Sequence, residues 1–308
     1  MTYRITAAAL LSAALGAGAI VVTAQGAAHR AFATPEDAVR ALIEAAAPGP
    51  ADGLLAIFGA EAGELIASSD EATARRNREV FVVAAAQGWR LVEQGADSRV
   101  LIVGDESWPF PVPISRSAGG WMFDTAAGRE EVLVRRIGRN ELAAIGTSRT
   151  YVVAQQQYAG EGRDGRRPGL FATTFTSDPG RHNGLYWPSA RHEPRSPLGD
   201  LVAGAAQSGQ QLGATRGQPS PFHGYYFKIL TAQGPAARGG ARSYLVKGEM
   251  AGGFALVAWP AQYDATGVMT FIVNQDGVVH EKDLGPETGT IAAAMSRYDP
   301  DASWRPVP

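Results

Sequence analysis

Apolar positions change their spacing several times along the chain, and each change predicts a new element. Ala38, Val39, Leu42, Ile43 and Ala46 recur at intervals near three and four, the period of a helix with one buried face. Thr34-Pro35-Glu36-Asp37 supplies its start, with a capping hydroxyl, a proline suited to the first turn and acids at the positive end of the dipole. Pro48-Gly49-Pro50 ends it. Short helical pieces are predicted at Leu54–Phe58 and Glu64–Ala67, and a third helix from Asp70 through Val80, Phe81, Val83 and Ala84, stopping near Gly88. The period then falls to two. Trp89–Glu93, Arg99–Val103, Val112–Ser115 and Trp121–Phe123 read as strands, with Gly95, Gly104 and Gly119-Gly120 at the turns.

Helical spacing returns over Glu130–Ala159 through Val132, Leu133, Ile137, Leu142, Ile145, Val152, Val153 and Gln156. Gly138 and Gly146 interrupt it, which leaves one kinked helix or two helices open. A long irregular stretch follows, with a short helix at Leu198–Ala206. Three apolar runs between Pro219 and Leu284 then form a β-meander, with a final helix expected at Thr290–Ser296. Asn274-Gln275-Asp276-Gly277, between two apolar runs, reads as a hairpin turn. Helices followed by antiparallel strands, twice over, make an α+β chain. The expected division is an N-terminal α+β domain of helices and a curled antiparallel sheet over 31–137. A helix laid on a β-meander follows over 138–308, with a long irregular insertion at 160–221.

Composition narrows the chemistry. The net charge is −2, which offers no basic excess for nucleic acid. Hydrophobic residues make up 45 %, enough for a buried core. There is no cysteine, so disulfides, thiolate metal sites, a cysteine nucleophile and a lipoprotein anchor are excluded. Arg4, the uncharged run from Ile5 to Val22 and small residues through Ala24 read as a secretory signal over 1–24. The expected location is periplasmic or secreted. Contact with a membrane is expected only if that segment stays uncleaved.

Two stretches carry a resemblance. One runs from Gly120-Trp-Met-Phe-Asp-Thr to Arg135-Arg-Ile-Gly-Arg-Asn-Glu-Leu. The other runs from Phe222-His-Gly-Tyr-Tyr-Phe-Lys to Glu281-Lys-Asp-Leu-Gly. With Gly184-Leu-Tyr-Trp-Pro they resemble the uncharacterised bacterial family known as domain of unknown function 2950. The resemblance implies an exported bacterial protein and brings no activity with it. The helix of Asn140–Tyr158 followed by the meander also looks like the globular head of type IV pilin-like proteins. The departure is that pilins carry this helix on an N-terminal apolar spine.

No ordered catalytic set stands out. Gly160-Glu-Gly-Arg-Asp-Gly matches G-x-G-x-x-G, but a helix precedes it and Arg-Arg-Pro follows, the reverse of the strand–loop–helix context a nucleotide needs. No G-x-S-x-G nucleophile elbow occurs. His182, His192 and His223 lack the close spacing of metal ligands and would need the fold to gather them. Aromatics cluster late in the chain. In a strand, Tyr225 and Phe227 face one way and Tyr226 the other, so one set is core. The other set either packs under the long loop or forms a binding patch, for which the candidates are His182, Trp187, His223 and Tyr226. The expected function is a non-enzymatic binding or structural module of the cell envelope, without a cofactor. Its expected partner is another envelope protein or polymer. The alternative is a hydrolase of envelope polymers with its site in the loop over 173–221, because long irregular loops often carry function.

Overall fold

The structure is a computed structural model and describes residues 29–47, 52–63, 71–189, 195–207, 213–215 and 218–308. The secretory signal read at 1–24, the helical piece at 64–67 and His192 lie outside the described residues. Chain contacts divide the protein into two compact units, one ending at Arg129 and one running Glu130–Pro308.

In the first unit, helix α1 (Pro35–Ala46) starts where the sequence places it. The Thr34 hydroxyl accepts from the Asp37 N–H at 3.1 Å, and Pro35 occupies the first turn. Ala38, Val39, Leu42 and Ala46 are buried. Helix α2 (Asp52–Phe58) buries Leu54, Ile57 and Phe58. Helix α3 (Glu71–Gln87) is followed by β1 (Trp89–Glu93), β2 (Ser98–Val103), β3 (Trp108–Pro109), β4 (Ile114–Ser117) and β5 (Gly120–Phe123). The strands form an antiparallel sheet in the order β1-β2-β4-β5, with β3 paired to β2. Of the apolar residues on α3, Val80 and Val83 point to solvent, and Phe81, Ala84 and Ala85 pack on the core.

Helix α4 runs from Thr125 to Glu161 as one element, so Gly138 and Gly146 do not divide it. Its start is fastened by Thr125, whose hydroxyl donates to the Phe58 carbonyl at 2.6 Å, and by Asp124, which accepts from the Ala127 N–H at 3.0 Å. The second unit continues with α5 (Gly199–Gln207), the hairpin β6 (Gly213–Thr215) and β7 (Gln218–Ser220), and β8 (Tyr225–Leu230). Two short ribbons follow, β9 (Ala232–Gln233) with β10 (Arg242–Ser243) and β11 (Leu245–Val246) with β12 (Glu249–Met250). Then come β13 (Ala255–Pro260), β14 (Met269–Asn274), β15 (His280–Asp283), α6 (Thr288–Ala294) and β16 (Arg305–Pro306).

The meander is antiparallel in the order β16-β15-β14-β13-β8. The Asn274–Gly277 turn is present. Gly277 N–H donates to the Asn274 carbonyl at 3.0 Å, and Gly277 takes φ 80°. Both faces of β13 and β14 are buried, which explains their unbroken apolar runs. The α4 side is covered by Ala144, Tyr151, Val152, Ala154 and Tyr158 in one core with Tyr225, Leu256, Phe271 and Val273. The described part of the long loop adds Leu185, Trp187 and Leu198 to the same core. Two lysines are absorbed by this architecture. Lys228 Nζ donates to the carbonyls of Ala293 (2.7 Å) and Met295 (2.8 Å) at the end of α6. Lys282 Nζ donates to Ser303 Oγ at 2.7 Å and lies over the Trp304 ring.

Candidate functional site

The four residues singled out from the sequence fall into two places. The first is the C-terminal end of α4. Beyond Glu161 the chain reverses through Gly162 (φ 62°), Asp164 (φ 48°) and Gly165 (φ 75°), and Arg166 N–H closes the turn on the Arg163 carbonyl at 2.8 Å. A Cβ at Gly162 would stand 2.6 Å from the Arg166 carbonyl oxygen, so the G-x-G-x-x-G pattern serves this tight reversal. The turn aims Arg163 inward. Its guanidinium pairs with Glu161 and lies 5.0 Å from the Trp187 ring centre. Asp164 accepts from the His182 N–H at 2.9 Å, and its other oxygen lies 3.7 Å from His182 Nδ1. Tyr158 donates to the His182 carbonyl at 3.1 Å, and the His182 and Trp187 rings are 4.5 Å apart. Burial holds the Tyr158 phenol above its ordinary pKa, against the pull of Arg166, so it stays a neutral donor.

This cluster ties the long loop to the helix end. Trp187 is only 3 % exposed, which places it with the residues packed under the long loop and not in an open aromatic patch. Arg163 and Asp164, dismissed from sequence with the failed nucleotide motif, are what hold His182 and Trp187. Arg163 Nε is buried without a hydrogen-bond acceptor, an uncommon state for a cation.

The second place is the start of β8. Phe222 and Tyr225 exchange backbone hydrogen bonds at 2.8 and 3.0 Å, and the two residues between them, His223 (φ 48°) and Gly224 (φ 73°), are both left-handed. That is a type I′ hairpin turn, the form whose twist suits antiparallel strands. His223 therefore has a conformational role, and burial lowers its pKa. Tyr226 faces Trp259 across the ladder, with ring centres 5.8 Å apart. Gly224 lies against Asn140, where a Cβ would come within 2.6 Å of Nδ2. Asn140 and Tyr158 are eighteen residues apart on α4, about 27 Å at 1.5 Å per residue. The His182–Trp187 pair and the His223–Tyr226 pair are thus at opposite ends of that segment and do not form one site. Among the described residues, no three His, Asp or Glu side chains gather as metal ligands.

The polar groups between these two places are consumed by architecture. Gln155, fully buried, accepts from Ala172 N–H and donates to Ala172 C=O, both at 2.8 Å, and donates to Tyr151 Oη at 3.0 Å. Tyr151 in turn donates to the Ala255 carbonyl at 3.1 Å. Glu141 accepts from the N–H groups of Val268 and Met269, each at 2.9 Å. Tyr225 donates to the Met269 carbonyl at 2.9 Å.

On the other face of α4 Arg149 donates to the Pro308 carbonyl, but two large apolar side chains face solvent. Helical spacing predicts Leu142 and Val153 in the core, but they are 71 % and 63 % exposed. The buried face is carried instead by Ala144, Thr147, Ser148, Tyr151, Val152, Ala154 and Gln155. Gly138 and Gly146 share the outward side with Leu142, at steps of four. A Cβ at either glycine would meet nothing within 4 Å, whereas one at Gly128 would strike Val112 at 2.7 Å. Each helix-interior glycine costs about 1 kcal/mol relative to alanine. The packing of the chain explains Gly128 and leaves the other two without an internal reason. That spacing of glycines around an exposed leucine was the sequence signal for a surface.

Residues 29–307 match the family model described as Protein of unknown function (DUF2950). No curated protein matches the chain, and no solved structure matches it. Among the described residues no helix is long and apolar enough to cross a membrane.

Proposed function

The chain belongs to the DUF2950 family, and from that premise we propose that it is an exported, non-enzymatic module of the bacterial cell envelope that binds another envelope component across the outward face of α4. One observation carries this reading. Between Asn140 and Tyr158 the inward polar side chains are spent on hydrogen bonds that hold the fold, while Leu142 and Val153 stand in water on the other side. An amphipathic helix carries polar residues on its solvated face, and these two side chains depart from that pattern. Export rests on the apolar leader over 1–24. The helix followed by a five-stranded antiparallel sheet agrees with the resemblance to pilin-like heads noted in the sequence and lends the binding reading support. Pull-down from an envelope fraction tests the reading, comparing the wild type with a Leu142→Glu/Val153→Glu variant. Loss of a partner from the variant is expected, and identical recovery by both proteins would remove this surface from consideration.

A second reading, an envelope-polymer hydrolase, is favoured by one feature. The buried, incompletely bonded Arg163 lies beside the partly exposed His182–Asp164 pair. Turnover of a glycan, peptide or ester substrate that disappears in His182→Ala would establish it in place of the first.

A further inference from the structure

We propose that Asn183 is a latent modification site, a residue primed to lose its side-chain amide and held unreacted by the loop around it. Of the four asparagines in the chain, only Asn183 precedes a glycine. That setting favours conversion, because the attacking nitrogen belongs to a residue with no side chain to hinder its approach. The Gly184 nitrogen gives its proton to hydroxide and bonds to the Asn183 side-chain carbonyl carbon. The bond from that carbon to Nδ2 breaks and the amide nitrogen leaves as ammonia. Water then opens the resulting succinimide to aspartate or isoaspartate. The net change consumes one water and releases one ammonia.

The packing imposes this pair of residues. A Cβ at Gly184 would stand 2.6 Å from the Thr176 carbonyl carbon, so a glycine is required there. Asn183 is equally committed. Its Oδ1 accepts from the Asp178 N–H at 2.9 Å, and its Nδ2 donates to Asp178 Oδ2 at 2.7 Å. An aspartate has no N–H for the second bond. The same contacts hold the pair unreacted. Gly184 is buried and its N–H donates to Ser177 Oγ at 2.9 Å, so the attacking nitrogen is occupied. The imide closes only after the Asn183 side chain leaves Asp178 and the Gly184 N–H leaves Ser177. Reaction therefore reports local opening of this loop. Its product works against closure, since a new carboxylate faces that of Asp178 where an amide had donated. The change falls one residue from His182, whose N–H is held by Asp164, and so loosens the loop where it is tied to the end of α4.

Peptide mass mapping of the whole protein tests this. The tryptic fragment 182–191 contains Asn183 as its one asparagine and has no glutamine, so its shift to the acid form is unambiguous. Samples are held at mildly alkaline pH, folded and in denaturant. The expected rate is at least about tenfold lower in the folded protein, because only the opened loop reacts. Ser177→Ala should raise the folded rate and leave the denatured rate unchanged. Asn183→Asp, which installs the product, should lower the melting temperature. Asp178→Asn/Asn183→Asp, which exchanges the amide and the carboxylate, should restore it. Equal rates in folded and denatured protein would overturn the shielding, and an unchanged folded rate in Ser177→Ala would overturn the part assigned to that hydroxyl. A melting temperature unchanged in Asn183→Asp, or lowered equally in the double variant, would overturn the loosening of the loop by the product.

Discussion

At position 146 a methyl group would point into open space on an established helix, and the same holds at 138. Gly138→Ala and Gly146→Ala are each expected to raise stability by about 0.5–1 kcal/mol, read as a shift of the denaturation midpoint. Gly224 behaves in the opposite way. It needs φ 73° and already crowds Asn140, so Gly224→Ala is expected to cost about 1–2 kcal/mol or more. His223→Asn should be neutral or mildly stabilising, because asparagine before glycine is a preferred pair in this turn. A large loss of stability in His223→Asn would show that the imidazole has a structural duty beyond the backbone. The most consequential interior residue is Gln155. Gln155→Leu strands both the N–H and the C=O of Ala172 and takes a partner from Tyr151, for an expected loss of about 3 kcal/mol in chemical denaturation.

Elements were legible in proportion to how local their signals are. The α1 start, the β1 strand and the Asn274–Gly277 turn depend on neighbours in sequence, and they stand where Thr34-Pro35, Trp89–Glu93 and Asp276-Gly277 place them. Which face of a helix is buried was not legible for α3 and α4. Both have apolar residues on more than one side, so periodicity could not choose between Val80 and Ala84, or between Val153 and Tyr151. Small and polar residues decided the α4 face: Ser148 satisfies its hydroxyl on the Ala144 carbonyl one turn back, and Gln155 is buried because the returning loop supplies Ala172 as a partner that no spacing rule can foresee. The candidate site followed the same rule. Trp187 and His182 were picked out by residue type, yet their surroundings come from Arg163 and Asp164, across a turn whose glycines pointed elsewhere. On this account Leu142→Glu, on the open face of α4, should change stability by no more than about 0.5 kcal/mol.

For the whole chain, the largest pH effect is expected at the alkaline end. Burial pushes the Tyr244 phenol up to about 12, and it raises Tyr151, Tyr225 and Tyr298 as well, with Glu141 adding to the rise at Tyr225. Each raised acid favours the neutral form in the folded state. Its contribution is complete below pH about 10, where unfolded tyrosine is still protonated, and is lost as pH climbs past that value toward 12 and beyond. Unfolding followed by circular dichroism should therefore coincide with a step in phenolate absorbance. Gradual titration of these tyrosines at pH 10 without unfolding would contradict their burial. The lysines carry a different consequence. The chain has three, and Lys228 is spent on the end of α6 while Lys282 is held by Ser303 and Trp304. That leaves Lys247, exposed at the tip between β11 and β12, as the side-chain amine open to acylation. An amine-reactive dye or resin would thus find one side-chain position in the second unit, Lys247, to distinguish from the terminal α-amine without any engineered tag.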